Sequence, residues 1–165
     1  MTMASDERVL VSFSVPSEQG NERIALARVA DAVADFGLSD DQLNRLKTAV
    51  AEATMNAIEH GNHNRADLDV EISVAALGDG VAVSIIDHGG AHAPAPDAPV
   101  ELPDLDMKLA GLQTPRGWGL FLIKNMVDAM DVSIDGDLHI VRLVMHTLPA
   151  QRPGDPEGGP RAEQV

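Results

Sequence analysis

The placement of proline divides this chain into segments that can form regular structure and segments that cannot. Of its ten prolines, five lie within residues 94–115, four lie within residues 149–160, and the remaining one is Pro16. Proline breaks a helix interior and cannot donate a hydrogen bond within a central strand, so both kinds of element must lie outside these clusters. The distribution predicts a folded body over residues 8–148, interrupted by one long loop, and a disordered tail over residues 149–165.

Alternation and helical spacing predict the elements of that body. Strands are expected over residues 8–15, 68–76, 81–86, 132–134 and 138–147, with hairpin turns at residues 78–80 and 135–137. Helices are expected over residues 21–35, from Ser39 to Gly61 and over residues 117–130, with a short one over residues 105–112 inside the loop. Ser39 with Gln42 is a capping-box signature. Together these elements predict a two-layer α/β sandwich, a mixed and mostly antiparallel sheet covered on one face by helices.

Composition narrows the class of protein. The chain is 44% apolar but only 2% aromatic, which predicts a globular fold with an aliphatic core. No window approaches the roughly 18 apolar residues of a membrane span, and the N-terminus does not resemble a signal peptide, so we expect a cytoplasmic protein with no membrane partner. The net charge of −14, without a cluster of lysine and arginine, argues against nucleic acid and is compatible with a basic protein partner.

A carboxylate and a carboxamide stand four residues apart in the second predicted helix. Glu52 and Asn56 therefore share one helix face, which lies beside the apolar stripe and not within it. Such a pair can supply a base and an amide ligand for a metal ion. It can equally be part of an ordinary exposed polar face, and the spacing alone favours that second interpretation.

An aspartate ends the third predicted strand and is followed by glycines. A carboxylate at Asp87 can accept a hydrogen bond from an exocyclic amine such as that of adenine, and Gly89 would let a flat base approach the backbone. The alternative is an ordinary aspartate at the start of a turn.

The third long helix is expected to open on a glycine-rich segment, Gly117-Trp118-Gly119-Leu120, with Arg116 just before it. Glycines at a helix start expose N–H groups that bind phosphate with help from the helix dipole. The alternative is a plain loop-to-helix joint with Trp118 as a packing anchor, since Gly-x-Gly alone is a weak motif.

These three segments, in this order, resemble the Bergerat-type (GHKL) ATP-binding domain of gyrases, histidine kinases and mismatch-repair ATPases. Residues 51–62 and 116–128 resemble, more narrowly, the anti-sigma-factor serine kinases of bacteria. The resemblance covers roughly residues 8–148. It implies ATP and Mg²⁺ as cofactors and an ATP lid over about residues 88–116.

The resemblance also implies a role for each candidate residue. Glu52 would be the general base for a substrate serine, and Asn56 would coordinate Mg²⁺. Asp87, with Gly89 beside it, would bind the adenine amine. Arg116, Gly117, Trp118, Gly119 and Leu120 would form the nucleotide-binding segment, in which the two glycines contact phosphates.

The implied partners are a sigma factor, a small anti-sigma antagonist that would be phosphorylated, and a second copy of the chain. One alternative is a non-catalytic, nucleotide-gated binding switch, because the family's usual Asp-x-Gly-x-Gly is Asp87-His88-Gly89-Gly90-Ala91 here. Another is the detached catalytic domain of a histidine kinase. The seven residues before Arg8 disfavour it, because they leave no room for a preceding dimerisation helix pair.

Overall fold

The computed structural model describes residues 6–92 and 115–147, with the backbone alone at residues 92 and 115–120. The strands are β1 (Arg8–Pro16), β2 (Asp69–Leu77), β3 (Gly80–Asp87), β4 (Ala129–Asp135) and β5 (Leu138–His146). The helices are α1 (Glu22–Val33), α2 (Asp40–Asn56) and α3 (Pro115–Met126). A π-helical turn at Ala57–Gly61 continues α2, and a short 3₁₀ turn at Gly90–His92 follows β3.

The strands form one sheet in the order β1-β2-β3-β5-β4. The predicted two-layer α/β sandwich is confirmed, but the expected mixed character is wrong for the described strands, since every neighbouring pair is antiparallel. β3 and β4 do point in the same direction. They do not pair with each other because β5 lies between them and runs opposite to both.

The core lies between the helices and one face of the sheet, and it is aliphatic as predicted. Leu46 and Val50 of α2 are fully buried against inward-facing sheet residues such as Ile72, Val83 and Leu143. Burial of aliphatic side chains in this layer is the main favourable contribution to folding. The packing fixes α2 across the sheet, and α2 carries two of the candidate site residues.

The predicted capping box at the start of α2 is confirmed. The Gln42 backbone N–H donates to Ser39 Oγ over 3.1 Å, and the Ser39 N–H donates to Gln42 Oε1 over 3.0 Å. The helix ends near Gly61 as expected, but its last turn is wider than an α-helical turn, because the Asn62 N–H reaches back to the Ala57 carbonyl over 2.8 Å. Such π turns often occur beside functional sites.

The predicted end of the third helix is wrong. The apolar spacing continues to residue 130, whereas α3 ends at Met126 and β4 begins at Ala129. Strand pairing overrides the local helical preference at this point: the Asp128 N–H donates to the Val144 carbonyl over 3.0 Å, and Ala129 pairs with Val144.

Several predictions fall outside the described residues. They are the short helix over residues 105–112, the tail over residues 149–165 and most of the lid. Among the helices that the structure describes, none is long and apolar enough to cross a membrane.

Candidate functional site

Asp87, the last residue of β3, is the most enclosed of the candidate residues. Its side chain is only 4% exposed, and its Oδ2 lies 3.0 Å from Nδ1 of His139 on the neighbouring strand β5. Its Oδ1 accepts a hydrogen bond of 2.8 Å from the Gly89 N–H. A buried carboxylate needs such partners, because removal from water without them is strongly unfavourable. The two hydrogen bonds therefore explain how Asp87 can stay buried.

Two glycines permit the close approach of three chain segments around this carboxylate. A methyl group at Gly61 would overlap the Asp87 carboxylate, and one at Gly89 would lie 2.8 Å from the Gly61 Cα and carbonyl oxygen. The end of α2, the end of β3 and the segment after β3 can meet only because both side chains are absent. Gly89 was predicted from the sequence, and Gly61 was predicted only as a helix end.

Asn62 joins the same segments from the other side. It is 1% exposed, its Oδ1 accepts from the His88 N–H over 2.8 Å, and its Nδ2 donates to Ser17 Oγ over 2.9 Å. Nδ2 also lies 3.2 Å from the Asp69 carbonyl oxygen. One buried side chain thus connects the residue after β1 and the start of β2 with the segment that follows Asp87, so it holds the candidate site in place.

α2 runs from the opposite end of the sheet toward the end that carries Asp87. The helix starts beside the end of β5, where Gln42 Nε2 donates to the His146 carbonyl over 2.7 Å. It finishes beside the end of β3, where Gly61 lies against the Asp87 carboxylate. The C-terminal half of α2, with Glu52 and Asn56, is consequently the half nearer to Asp87.

The direction of α3 relative to α2 can be inferred from the position of its C-terminus. Two residues after Met126, the Asp128 N–H donates to the Val144 carbonyl. Val144 lies near the end of β5 beside which α2 begins. Because α3 also packs against α2, the two helices run antiparallel, and the first turn of α3 lies at the Asp87 end. Gly117 and Gly119 occupy that turn. The predicted helix start is two residues too late, since α3 begins at Pro115 and Arg116 lies within it and not just before it. The glycines do lie near the start of the helix, while the side chains of residues 116, 118 and 120 lie outside the described residues.

Glu52 and Asn56 occupy the flank of α2 that faces α3. Arg45, at positions i−7 and i−11 from them, shares this flank and its Nη1 donates to the Met126 carbonyl over 3.4 Å. Both candidate side chains are half-buried. Nδ2 of Asn56 is buried, and it makes no hydrogen bond with the residues that the structure describes.

The arrangement brings four kinds of group to one end of the molecule. They are a buried carboxylate on β3, an amide on α2 whose Nδ2 has no partner in the described part of the chain, a second carboxylate on α2, and the N-terminal turn of a glycine-containing helix. A carboxylate suits an amine donor, a helix N-terminus suits phosphate, and an amide oxygen suits a hard metal ion. A nucleoside polyphosphate whose base carries an exocyclic amine, bound together with a hard metal ion, meets all three requirements.

Comparison with known proteins gives the same assignment. Residues 15–145 match the family described as "Histidine kinase-like ATPase domain". The anti-sigma F factor of Clostridium beijerinckii is 32% identical over 134 residues, which are 78% of this chain and 85% of the relative. That of Geobacillus stearothermophilus is 34% identical over 128 residues, 74% of this chain and 80% of the relative. The chain belongs to the histidine kinase-like ATPase family.

Two solved structures share the fold of this histidine kinase-like ATPase. SiaB, from the SiaB–SiaC complex of Pseudomonas aeruginosa, superposes with a TM-score of 0.59 at 16% identity, covering 84% of this chain and 90% of that one. A Mycobacterium tuberculosis protein with RsbU and RsbW domains gives 0.58 at 17% identity, covering 82% of this chain and 32% of that one. At these identities the likeness concerns the fold.

Membership of this family implies ATP binding, and the similarity to two anti-sigma F factors over most of the chain supports a regulator of the anti-sigma type. The structure brings Glu52, Asn56, Asp87, Gly89, Gly117 and Gly119 toward one end of the molecule, and their roles in binding a nucleotide stay predictions. Sequence reasoning missed His139 as a neighbour of Asp87 and Asn62 as the buried connector. Asn62 had a weak signal, since it directly follows the helix-ending Gly61. His139 had none until the sheet order was known.

Proposed function

We propose that this histidine kinase-like ATPase is a serine kinase of the anti-sigma type. It would bind a sigma factor, phosphorylate a small anti-sigma antagonist and act as a homodimer. The names of its relatives support the regulatory role. The observation that carries the catalytic part is the position of Asn56, whose Nδ2 has no partner among the residues that the structure describes. It shares one end of the molecule with the buried Asp87 carboxylate and the start of α3.

The nucleotide would lie along this end. Its adenine amine would donate to Asp87, and its phosphates would accept from N–H groups at the first turn of α3. Asn56 would face the phosphates from α2. Gly61 and Gly89 leave room for the Asp87 carboxylate, since a methyl group at either position would crowd it.

The donor set near Asn56 fits Mg²⁺. This ion is usually held by one or two protein oxygens together with substrate phosphates, so a single amide on the flank of α2 is sufficient. A half-turn of the Asn56 amide group presents its oxygen instead of the unpartnered nitrogen. When bound, the ion would neutralise part of the phosphate charge.

Glu52 would act as the general base. It lies one helical turn before Asn56, about 6 Å along the helix axis, and its side chain is half-buried on the same flank. Its carboxylate would accept the proton of the substrate serine hydroxyl as the serine oxygen attacks the terminal phosphorus of ATP. The bond to the bridging oxygen breaks, and ADP leaves with that oxygen.

A phosphotransfer assay tests this role. The full-length chain is incubated with Mg²⁺, ATP labelled in the terminal phosphate, and each small sheet-and-helix antagonist protein encoded in its own genome. We expect label on a serine of one antagonist, and a drop of about 100-fold or more in rate for Glu52→Ala. Glu59→Ala, which removes an exposed carboxylate from the same helical segment, serves as the control. Equal transfer by Glu52→Ala and the wild type would exclude Glu52 as the base.

One observation favours a second candidate function, a nucleotide-gated binding switch without phosphotransfer. The second glycine of the box stands at position 90, where its N–H donates to the Asp137 carbonyl over 2.8 Å and a methyl group would collide with that same residue. This glycine is thus used for packing against the β4–β5 turn. Binding of Mg-ATP in calorimetry, without transfer to any antagonist, would support the switch.

A further inference from the structure

The contact between His139 and Asp87 can do more than allow the carboxylate to stay buried. The two residues are directly opposite in the β3–β5 ladder, and Nδ1 of His139 lies 3.0 Å from Oδ2 of Asp87. The His139 side chain is 19% exposed, compared with 4% for Asp87. The imidazole therefore reaches the surface of the recess in which the carboxylate is buried.

The chemistry of the pair fixes which atom donates. An ionised carboxylate can only accept hydrogen bonds, so at this distance Nδ1 of His139 must carry a hydrogen and donate it to Oδ2. The Gly89 N–H already donates to Oδ1. Each carboxylate oxygen can accept more than one hydrogen bond, so Asp87 keeps acceptor capacity for a ligand.

Two donors on different oxygens restrict the carboxylate more than one donor can. The terminal torsion of aspartate has a broad energy profile, so the Gly89 bond alone would leave the carboxylate plane free to turn about its anchored oxygen. The His139 bond removes that freedom. The carboxylate then presents its remaining acceptor positions in one direction.

We propose that His139 is a positioning residue for base recognition: by donating from Nδ1 to Oδ2, it holds Asp87 in the orientation that accepts the exocyclic amine of adenine. The proposal rests on the nucleotide site described under the proposed function. It adds a residue from β5 to that site and predicts that preference for adenine over a base without the amine depends on His139.

Equilibrium calorimetry on the full chain, with two ligands, tests the proposal. One ligand is ADP, and the other is purine riboside diphosphate, which is ADP with hydrogen in place of the exocyclic amine. For the wild type we expect tighter binding of ADP. For His139→Ala we expect ADP affinity to fall about 10-fold, as for the loss of a hydrogen bond to a charged group, while affinity for the analogue changes less than about twofold.

Two further variants separate positioning from a structural effect. His139→Asn places an amide N–H near the position of Nδ1 and should restore the preference for ADP. His146→Ala removes the histidine from the other end of β5, whose Nδ1 lies 3.2 Å from Asp79, and should leave the preference unchanged. If His139→Ala is unfolded at the working temperature, His139→Leu replaces it in the same comparison, since it fills more of the space.

The possible outcomes are distinct. Loss of the preference for ADP in His139→Ala, with its return in His139→Asn, supports the proposal. Equal weakening of both ligands, or no weakening of either, overturns it, because a purely structural role affects both ligands alike. If the wild-type chain binds neither ligand, or does not prefer ADP, the adenine site itself is wrong and the proposed function fails first.

Discussion

The ladder formed by β3 and β5 has an aspartate–histidine contact at each end, and the two contacts differ in burial. At one end, His139 lies 3.0 Å from Asp87, with the side chains 19% and 4% exposed. At the other end, His146 lies 3.2 Å from Asp79, with the side chains 32% and 67% exposed. The second contact is also not aligned for a hydrogen bond, since Nδ1 of His146 has no hydrogen-bond partner in the described structure.

The comparison teaches that surroundings, and not residue types, distinguish the candidate site. Water can solvate the exposed Asp79, so its contact with histidine is worth little. Asp87 cannot be solvated in this way and must be held by hydrogen bonds from the protein. It is also at this end that α2 finishes and α3 begins. A buried acceptor beside a helix N-terminus can select a ligand. At the other end the N-terminus of α2 also lies near His146, but the Ser39 side chain caps that N-terminus and Asp79 is exposed to water.

The largest expected difference between the two ends is in ADP binding, after removal of the carboxylate charge of Asp87 or of Asp79. Asp87→Asn should weaken ADP binding by about 100-fold, because it removes a charge-assisted acceptor and places an N–H₂ group among donors. Asp79→Asn should leave ADP binding unchanged. Calorimetric titration of both variants checks this. A similar loss of affinity in the two variants would show that the ends do not differ as described.

A smaller effect is expected from adding a methyl group at each end. Gly61→Ala forces a methyl group against the Asp87 carboxylate, and we expect the free energy of unfolding to fall by about 1–3 kcal/mol, together with weaker ADP binding. Gly78→Ala, in the turn next to Asp79, meets nothing within 4 Å and should cost much less. Urea denaturation compares the two variants. Equal free energies of unfolding for the two variants would mean that the backbone around Asp87 shifts to accommodate the methyl group at little cost.

The smallest effect concerns an ion pair between Arg142, which lies on β5 between the two histidines, and Glu7, which precedes β1. Arg142 binds Glu7 through two contacts of 3.0 and 3.1 Å, which hold the pKa of the Glu7 carboxyl below its ordinary value. The contribution to stability is therefore fully present above the ordinary glutamate pKa and is lost as the pH falls through the lowered one. Glu7→Gln should reduce the free energy of unfolding by less than about 1 kcal/mol at neutral pH.

Denaturation curves of this variant and the wild type, measured at neutral and at successively lower pH, check that expectation. The difference in stability should shrink as Glu7 becomes protonated in the wild type. Binding of ADP should be the same in both proteins. A difference that grows toward low pH would contradict the assigned direction of the pKa shift.

Much of the fold could be predicted because its signals are local. The capping box at Ser39, the turn at residues 78–80 and the strand that ends at Asp87 each depend on residues a few positions apart. A predicted boundary was wrong where pairing with a residue distant in the sequence ended the element. The helical pattern extends to residue 130, but α3 ends at Met126 because Ala129 pairs with Val144 in β5.

The candidate site divides in the same way. Glu52 and Asn56 could be proposed together because helical periodicity puts them on one flank. Asp87 could be proposed because a strand ends there in a glycine-rich segment. The contact of Asp87 with His139 joins residues 52 positions apart, and it exists only because β5 lies between β3 and β4.

The sequence by itself determined the proline-free segments, their periodicity and the three motif-bearing positions, because these depend on interactions within one turn or one hairpin. Only the tertiary structure decided which groups surround Asp87. Gly61, Gly89, Asn62 and His139 come together through the order of the strands and the antiparallel course of α2 and α3. No local propensity encodes those contacts, since they arise from the burial of one helix layer against one sheet face.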